Sequence, residues 1–534
     1  MQLTTQFHAV GHIALVRLGI DMSLSKLNVF FLMVISALFS ARTWANDGGI
    51  DAMINQYVAP VSKMLSALIF YKIELFGTQV TLVVMWLVIG GIFFSLYLGF
   101  INLTGFAHAL KLVRGDFTSR AKESGELTHF QALTAAVSGT VGIGNIGGVA
   151  VAISIGGPGA TFWMIVAGFL GMSTKFMECV LGTKFRNENP DGSVSGGPMY
   201  YLEKGLALKS MPKFGKAIGV FYAAGIVIAC LGIGNMFQSN QAYMQFVNIT
   251  GGENNSWLAD KGWLFGIFIA LLVGAVIVGG IKSIARVTEK IVPSMAIFYC
   301  GSALVIIGMN YEAIPFAFNA IIEGAFNDQG IAGGVIGVML IGFQRAVFSN
   351  EAGIGSAAIA HAAVRTNEPV TEGYVALLEP FIDTIVICTI TALVIITTFY
   401  YDPNFHQGLD GIAMTSAAFE RNVSWSPYVI AIAGFLFAFS TLIAWSYYGL
   451  KAWTYLVGES RLAELGFKLI FCSFTAIGCT IQLSAVLDFS DAFVFVICVP
   501  NILGLYILAP IVKRELVSYK ARLASGEIVD YSKK

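Results

Sequence analysis

Ser138-Gly139-Thr140-Val141-Gly142-Ile143-Gly144-Asn145-Ile146-Gly147-Gly148 lies midway along an apolar run at 131–155, and five of its eleven residues are glycine. Each glycine costs up to about 1 kcal/mol of helix propensity relative to alanine, so the stretch predicts a break in a helix. Working outward, a second apolar run at 332–362 is interrupted by Phe348-Ser349-Asn350-Glu351-Ala352-Gly353-Ile354-Gly355-Ser356. Irregular backbone at membrane depth is tolerated only where it is buried in protein or lines a cavity. Gly142-x-Gly144-x-x-Gly147 also satisfies a dinucleotide-binding pattern, but that motif needs an acidic residue about 20 positions on. Residues 149–177 contain no Asp or Glu, which excludes it.

Composition says what surrounds these breaks. Of the 534 residues, 56% are hydrophobic and 12% charged, against about 25% charged in soluble domains. Glycine is in excess at 58 residues, yet 13 prolines and no Gly-X-Y period exclude collagen. Net charge is zero, which gives no footing for nucleic acid. The seven cysteines form no C-x-x-C pair, so neither a disulfide framework nor a zinc site is expected. The chain reads as an all-α polytopic membrane protein in contact with lipid.

Runs long enough to span occur at 78–100, 131–155, 161–183, 217–247, 263–281, 291–310, 332–362, 374–399, 427–450, 466–486 and 490–512, about eleven in all. The connections at 101–129, 184–216, 282–290, 365 and 451–468, with the tail from Lys513, carry 23 Lys and Arg; the opposite side carries only Lys63, Lys72, Lys261 and Arg421. By the positive-inside rule the mature N-terminus lies outside and the C-terminus in the cytoplasm. Upstream, Met22 to Ala45 read as a secretory signal, with Lys26, an apolar core from Val29 to Phe39, and a small residue after Thr43-Trp44. Signals begin near the initiator, so either Met22 is the true start or the leader is unusually long. The resulting plan is a leader at 1–45 and a periplasmic segment at 46–77. An extra transmembrane helix and linker follow at 78–129, then five-helix repeats at 130–310 and 311–512 and a cytoplasmic tail at 513–534.

With the first span set aside, each broken helix opens a set of five, and the two sets run in opposite directions. Corresponding breaks in inverted repeats mark the midplane site of a secondary transporter. The amides of a break, with a half-helix dipole, hold a carboxylate. Its freed carbonyls hold Na⁺ or an ammonium group. A zwitterionic amino acid needs both.

At these residues the sequence resembles the alanine-or-glycine:cation symporter family (sodium:alanine symporters). The resemblance rests on SGTVGIGNIGGVAVAISIGGPGATFWMIVAGFLGMSTKFMECVLG, SGGPMYYLEKGL, GNMFQSN, FSNEAGIGSAAIAHAA and FAFSTLIAWSYYG, from Glu126 to about Trp453. It implies a LeuT-type fold, an inverted 5+5 repeat with one extra N-terminal helix, in a bacterial inner membrane. It also implies sodium-coupled import of alanine and/or glycine by alternating access, with no cofactor beyond the coupling Na⁺. Expected sodium ligands are the carbonyls of Ser138 and Val141 and the hydroxyls of Ser440 and Thr441. The substrate carboxylate would meet the amides around Thr140, Gly142, Gly144 and Asn145, and its amine the carbonyls of Phe348, Ser349 and Asn350. Gln238 and Trp445 would line the pocket, the tryptophan leaving room only for small side chains. The alternatives are coupling to protons or another cation on the same fold, or, in a different class, a channel with glycine-rich filter loops.

Other readings of the same residues stand beside these. Ser440 and Thr441 fit the common bond back to a helix carbonyl, and Trp445 and Phe348 fit packing. Lys175 and Glu178, at i and i+3, fit mutual neutralisation. Glu379 and Asp383, at i and i+4, need a counter-charge or a proton. Arg345 and Glu351 flank the second break as a gate or orienting pair. His129, at a span entrance, and His361, at a span end, are too far apart in sequence to suggest a metal site. No nucleophile with its base and no metal-protease motif stands out, so no enzyme is expected.

Overall fold

A computed structural model describes residues 64, 66–75, 78–117, 124–190, 192–327, 334–400, 411–481 and 483–533. The leader, the Met22 start and most of the segment before the first span lie outside the described residues.

A two-stranded hairpin, β1 (Lys72–Leu75) and β2 (Thr78–Thr81), leads into α1 (Leu82–Tyr97) and the amphipathic α2 (Phe106–Arg114). Then come α3 (His129–Thr140), α4 (Gly147–Gly156) and α5 (Gly159–Lys184). Thr128 starts α3 with a reciprocal cap: its hydroxyl accepts from Gln131 N, and Gln131 Oε1 accepts from Thr128 N, each at 3.2 Å. Proline at the first turn opens α6 (Pro198–Ala207) and α7 (Pro212–Ile249), where its missing N–H costs nothing. The chain continues through α8 (Gly262–Ile277), α9 (Gly280–Met309), α10 (Ile314–Phe326), α11 (Gly334–Asn350) and α12 (Ala357–His361). It ends with α13 (Pro369–Phe399), α14 (Gly411–Glu420), α15 (Ser426–Val457), α16 (Arg461–Gly478) and α17 (Leu483–Ser525).

Among the described residues, α5, α7, α9, α13, α15 and α17 are long and apolar enough to cross a membrane, with at least 26 residues each. At about 1.5 Å per residue that exceeds the ~30 Å hydrocarbon core. The pair α3 and α4, bent by 62°, makes a seventh. Helices α1, α8 and α11 are apolar but only 16 or 17 residues long. The sequence's count of eleven depends on them and on the 18-residue α16.

The two broken helices lie against each other, α4 on α11 and α3 on α12, flanked by α5, α13 and α15. At the end where α3 begins, the chain is sealed by backbone. Leu127 and Val364 form a parallel bridge, and Arg186 donates to the carbonyls of Ser124, Ala362, Val364 and Thr366 at 2.7–3.0 Å. At the opposite end α14 covers α4, with the Thr415 hydroxyl donating to Ile146 O at 3.0 Å.

Close packing accounts for part of the glycine excess. A Cβ on Gly159 would overlap the backbone of Gly324, so α5 and α10 touch only because both residues lack side chains. Gly301 has open space around the same position. Gly159→Ala is expected to cost on the order of 1–3 kcal/mol and to lower the melting temperature in detergent, whereas Gly301→Ala, with room for its methyl in a helix interior, should leave it unchanged or raise it. Equal melting curves for the two variants would remove this packing account.

Candidate functional site

The first break forms because α3 stops at Thr140 and Val141 and Gly142 run extended before one 3-10 turn at Ile143–Asn145. The second break is shorter than the sequence suggested. Helix α11 continues through Phe348 and Ser349 to Asn350, and the chain leaves the helix at Glu351, which takes a left-handed φ of 58°. Gly353 and Gly355, at φ 93° and 89°, then carry it to Ala357. Phe348, Ser349 and Asn350 therefore supply last-turn carbonyls, which helix geometry leaves without intrahelical partners, at the negative end of a half-helix.

Buried amides need acceptors, and side chains provide them at the first break. Gly142 N donates to Asn145 Oδ1 at 2.9 Å and Ile143 N to Gln238 Oε1 at 3.1 Å. Gln238 reaches over from α7 to serve as this acceptor. Phe348 covers Gly144, whose Cβ would lie 3.7 Å from its ring, and Phe237 meets Phe348 edge-on at 5.6 Å.

The four residues expected around sodium are neighbours. Ser138 Oγ donates to Ser440 O at 2.6 Å, and a Cβ on Gly142 would stand 2.7 Å from Thr441 Oγ1. Ser440 and Thr441 hydroxyls both donate to Phe437 O at 2.9 Å, the back-bond that the bland reading foresaw. That bond uses only each hydroxyl's hydrogen and leaves its lone pairs for another partner, so the two readings are compatible.

Trp445, fully buried, joins both breaks. Its Nε1 donates to Gly139 O at 3.2 Å in the first and to Glu351 Oε1 at 2.9 Å in the second. Its ring lies against Gly234 on α7, where any Cβ would overlap it. Glu351 also accepts from the Ser356 hydroxyl.

Asp383 on α13 is the carboxylate shared by the two breaks. Its Oδ1 takes Asn145 Nδ2 at 2.5 Å, and its Oδ2 takes the hydroxyls of Ser349 at 2.8 Å and Thr384 at 2.7 Å. Asn350 Nδ2 donates to the Thr384 hydroxyl at 3.0 Å. Asn145, Ser349 and Asn350 thus converge on one fully buried acid. These neutral donors solvate its charge without cancelling it.

Residues 64–533 match the model of the sodium:alanine symporter family. The chain belongs to that family. It is 40% identical over 433 residues to the sodium/alanine symporter AgcS of Methanococcus maripaludis, covering 80% of this chain and 92% of that one. It is 32% identical to the probable sodium/glutamine symporter GlnT of Bacillus subtilis, covering 82% and 87%. Among solved structures, that of MhsT in complex with L-phenylalanine superposes with a TM-score of 0.52 at 17% identity, covering 74% of this chain and 99% of that one. This likeness supports the helical, LeuT-like fold alone. Family membership places the symporter among amino-acid/cation transporters of the membrane.

Several pairings in the symporter differ from those the sequence suggested. Lys175 meets Glu379 at 3.2 Å, across to α13, while Glu178 accepts from Gly353 N at 3.0 Å and Asn501 Nδ2 at 2.8 Å. Packing turned the two toward different helices instead of toward each other. Arg345 faces Asp491 at 3.9 Å, and Glu351 turns inward to Trp445, so these two flanking residues form no pair. His129 and His361 do come together: both rings bond Glu372. The sequence signal was available, since Glu372 and Glu379 lie seven residues apart on one face of α13.

Gly142→Ala would place a methyl 2.7 Å from Thr441 Oγ1 and 3.1 Å from Gln238 Oε1. Alanine uptake should fall at least about tenfold, equivalent to ~1.4 kcal/mol, with a normal size-exclusion profile. Gly148→Ala, with nothing within 4 Å, is the matched control. Similar uptake by both variants would argue against a site at the first break.

Proposed function

We propose that this chain is a sodium-coupled symporter importing small neutral amino acids, alanine and/or glycine, by alternating access. The observation that carries the reading is the convergence of two helix breaks on one buried carboxylate, Asp383, through Asn145 and Ser349. Such a place suits a zwitterion and a monovalent cation held side by side.

In this reading Na⁺ sits between α3 and α15, on the carbonyls of Ser138 and Val141 and the hydroxyls of Ser440 and Thr441. Hard oxygen ligands suit a hard cation. The substrate carboxylate displaces Gln238 from Ile143 N and Asn145 Oδ1 from Gly142 N, and the amine faces the carbonyls of Phe348 to Asn350 with Asp383 behind them. Trp445 limits the side chain. The relatives' names support this reading, because AgcS is a sodium/alanine symporter and GlnT a probable sodium/glutamine symporter. The crossings are eleven, with α1, α8, α11 and α16 as the shorter members, an exported mature N-terminus and a cytoplasmic tail. Because ion and substrate share the first break, each should raise the affinity for the other by the same factor.

Labelled alanine and glycine uptake into proteoliposomes under Na⁺, Li⁺, K⁺ or proton gradients tests the reading. Accumulation is expected under the Na⁺ gradient, and accumulation under a proton gradient alone would overturn sodium coupling. Thr441→Ala should raise the Na⁺ concentration for half-maximal uptake about tenfold, or ~1.4 kcal/mol. An unchanged Na⁺ dependence in that variant would rule out the assigned ligands.

A further inference from the structure

Five ionisable side chains form an unbroken line where α3, α5, α12 and α13 meet, and no step of ion or substrate binding above employs them. Lys175 Nζ lies 3.2 Å from Glu379 Oε2, and Glu379 Oε1 lies 2.7 Å from His361 Nε2. His361 Nδ1 lies 2.5 Å from Glu372 Oε2, and the other oxygen of Glu372 takes His129 Nδ1. Four of these side chains are wholly buried. The His129 side chain, 10% exposed, is where water reaches the line.

The geometry fixes a proton count. Each of the three imidazole–carboxylate contacts needs one hydrogen. His129 as its Nδ1–H tautomer supplies one. A neutral His361 has one ring hydrogen for two carboxylates, which would set a nitrogen lone pair against a carboxylate oxygen in a dry site. One additional proton, making His361 an imidazolium, satisfies every contact. It also balances Lys175 and His361 against Glu372 and Glu379.

The surrounding ionisable groups already have their own roles or carry no charge. Glu178, on the helix of Lys175, accepts from Gly353 N and Asn501, and Glu351 at the second break accepts from Trp445 and Ser356. Asp383 on α13, held by Asn145, Ser349 and Thr384, also faces Lys175, and Cys179 on α5 and Tyr448 on α15 lie beside the line.

We propose that this column is a proton-binding site that locks the cytoplasmic gate. The inference rests on the transport reading and on the orientation that the basic loops indicate. With the proton bound, Glu372 ties the start of α3, through His129, to the end of α12, through His361, on the face that Arg186 and the Leu127–Val364 bridge also close. For release the His129 ring swings off Glu372 Oε1, water reaches that oxygen, and the proton passes from His361 Nδ1 through the Glu372 carboxylate to cytoplasmic water. Its loss leaves the column one negative charge in excess and frees α3 to move. Alkaline cytoplasm therefore speeds release of cargo, and acid cytoplasm holds the gate shut.

Two measurements decide it. In right-side-out vesicles at fixed external pH and Na⁺ gradient, alanine uptake by the wild type should rise with internal pH between 6 and 9, by up to about tenfold per unit, the limit for one titrating proton. H361Q should flatten that slope. A wild-type rate indifferent to internal pH, or an active H361Q variant with the wild-type slope, overturns the proposal. Independently of transport, ¹⁵N NMR of the six histidines, assigned with H361Q, should show one ring protonated at both nitrogens at pH 7.5. A neutral His361 ring overturns the proposal. Absence of uptake under any gradient would sink the transport reading, while the NMR measurement would still decide the proton.

Discussion

Two helices are interrupted inside a dry bundle, and every backbone group freed there has to find a partner. That constraint organises the centre of this protein. An amide or carbonyl left bare at membrane depth costs several kcal/mol, so the breaks exist only because side chains from other helices answer them. Asn145 closes its own turn at Gly142, Gln238 crosses from α7 to Ile143, and Trp445 crosses from α15 to Gly139. The partners are side chains, two of them from other helices, so the breaks depend on how the bundle packs.

The charges obey a similar logic. Asp383 is held by three neutral donors and lies between the breaks, where a cation would complete it. Glu372 and Glu379 pair with Lys175, His361 and His129 toward the start of α3, while Glu178 and Glu351 at the second break accept from neutral N–H and O–H donors. The carboxylates at the breaks are thus met by neutral donors, and those toward the start of α3 form a chain of ion pairs.

Glycine has two separate uses here. Gly353 and Gly355 adopt positive φ, which lets the second break turn between α11 and α12 within a few residues. Gly159, Gly234 and Gly262 lie in helices and allow backbone or an indole ring to approach more closely than any Cβ would permit. The stretch quoted first relies on close approach, since none of its glycines has a positive φ. Gly142 is extended and pressed against Thr441, whereas Gly148 has open space.

Sequence alone determined the class of the molecule, because hydrophobic periodicity and scarce charge are local properties. The two breaks and the family were legible for the same reason, since glycine runs and motifs are read along the chain. The tertiary structure decided which charges meet. Lys175 and Glu178 are neighbours on a helix but turn to different partners, and Arg345 and Glu351 point apart. His129 and His361, separated by more than two hundred residues, share one carboxylate. Coulomb attraction between buried groups depends on distance in space and on the absence of water between them. Spacing along the chain carries neither quantity across helices, so only the packed bundle could reveal the column.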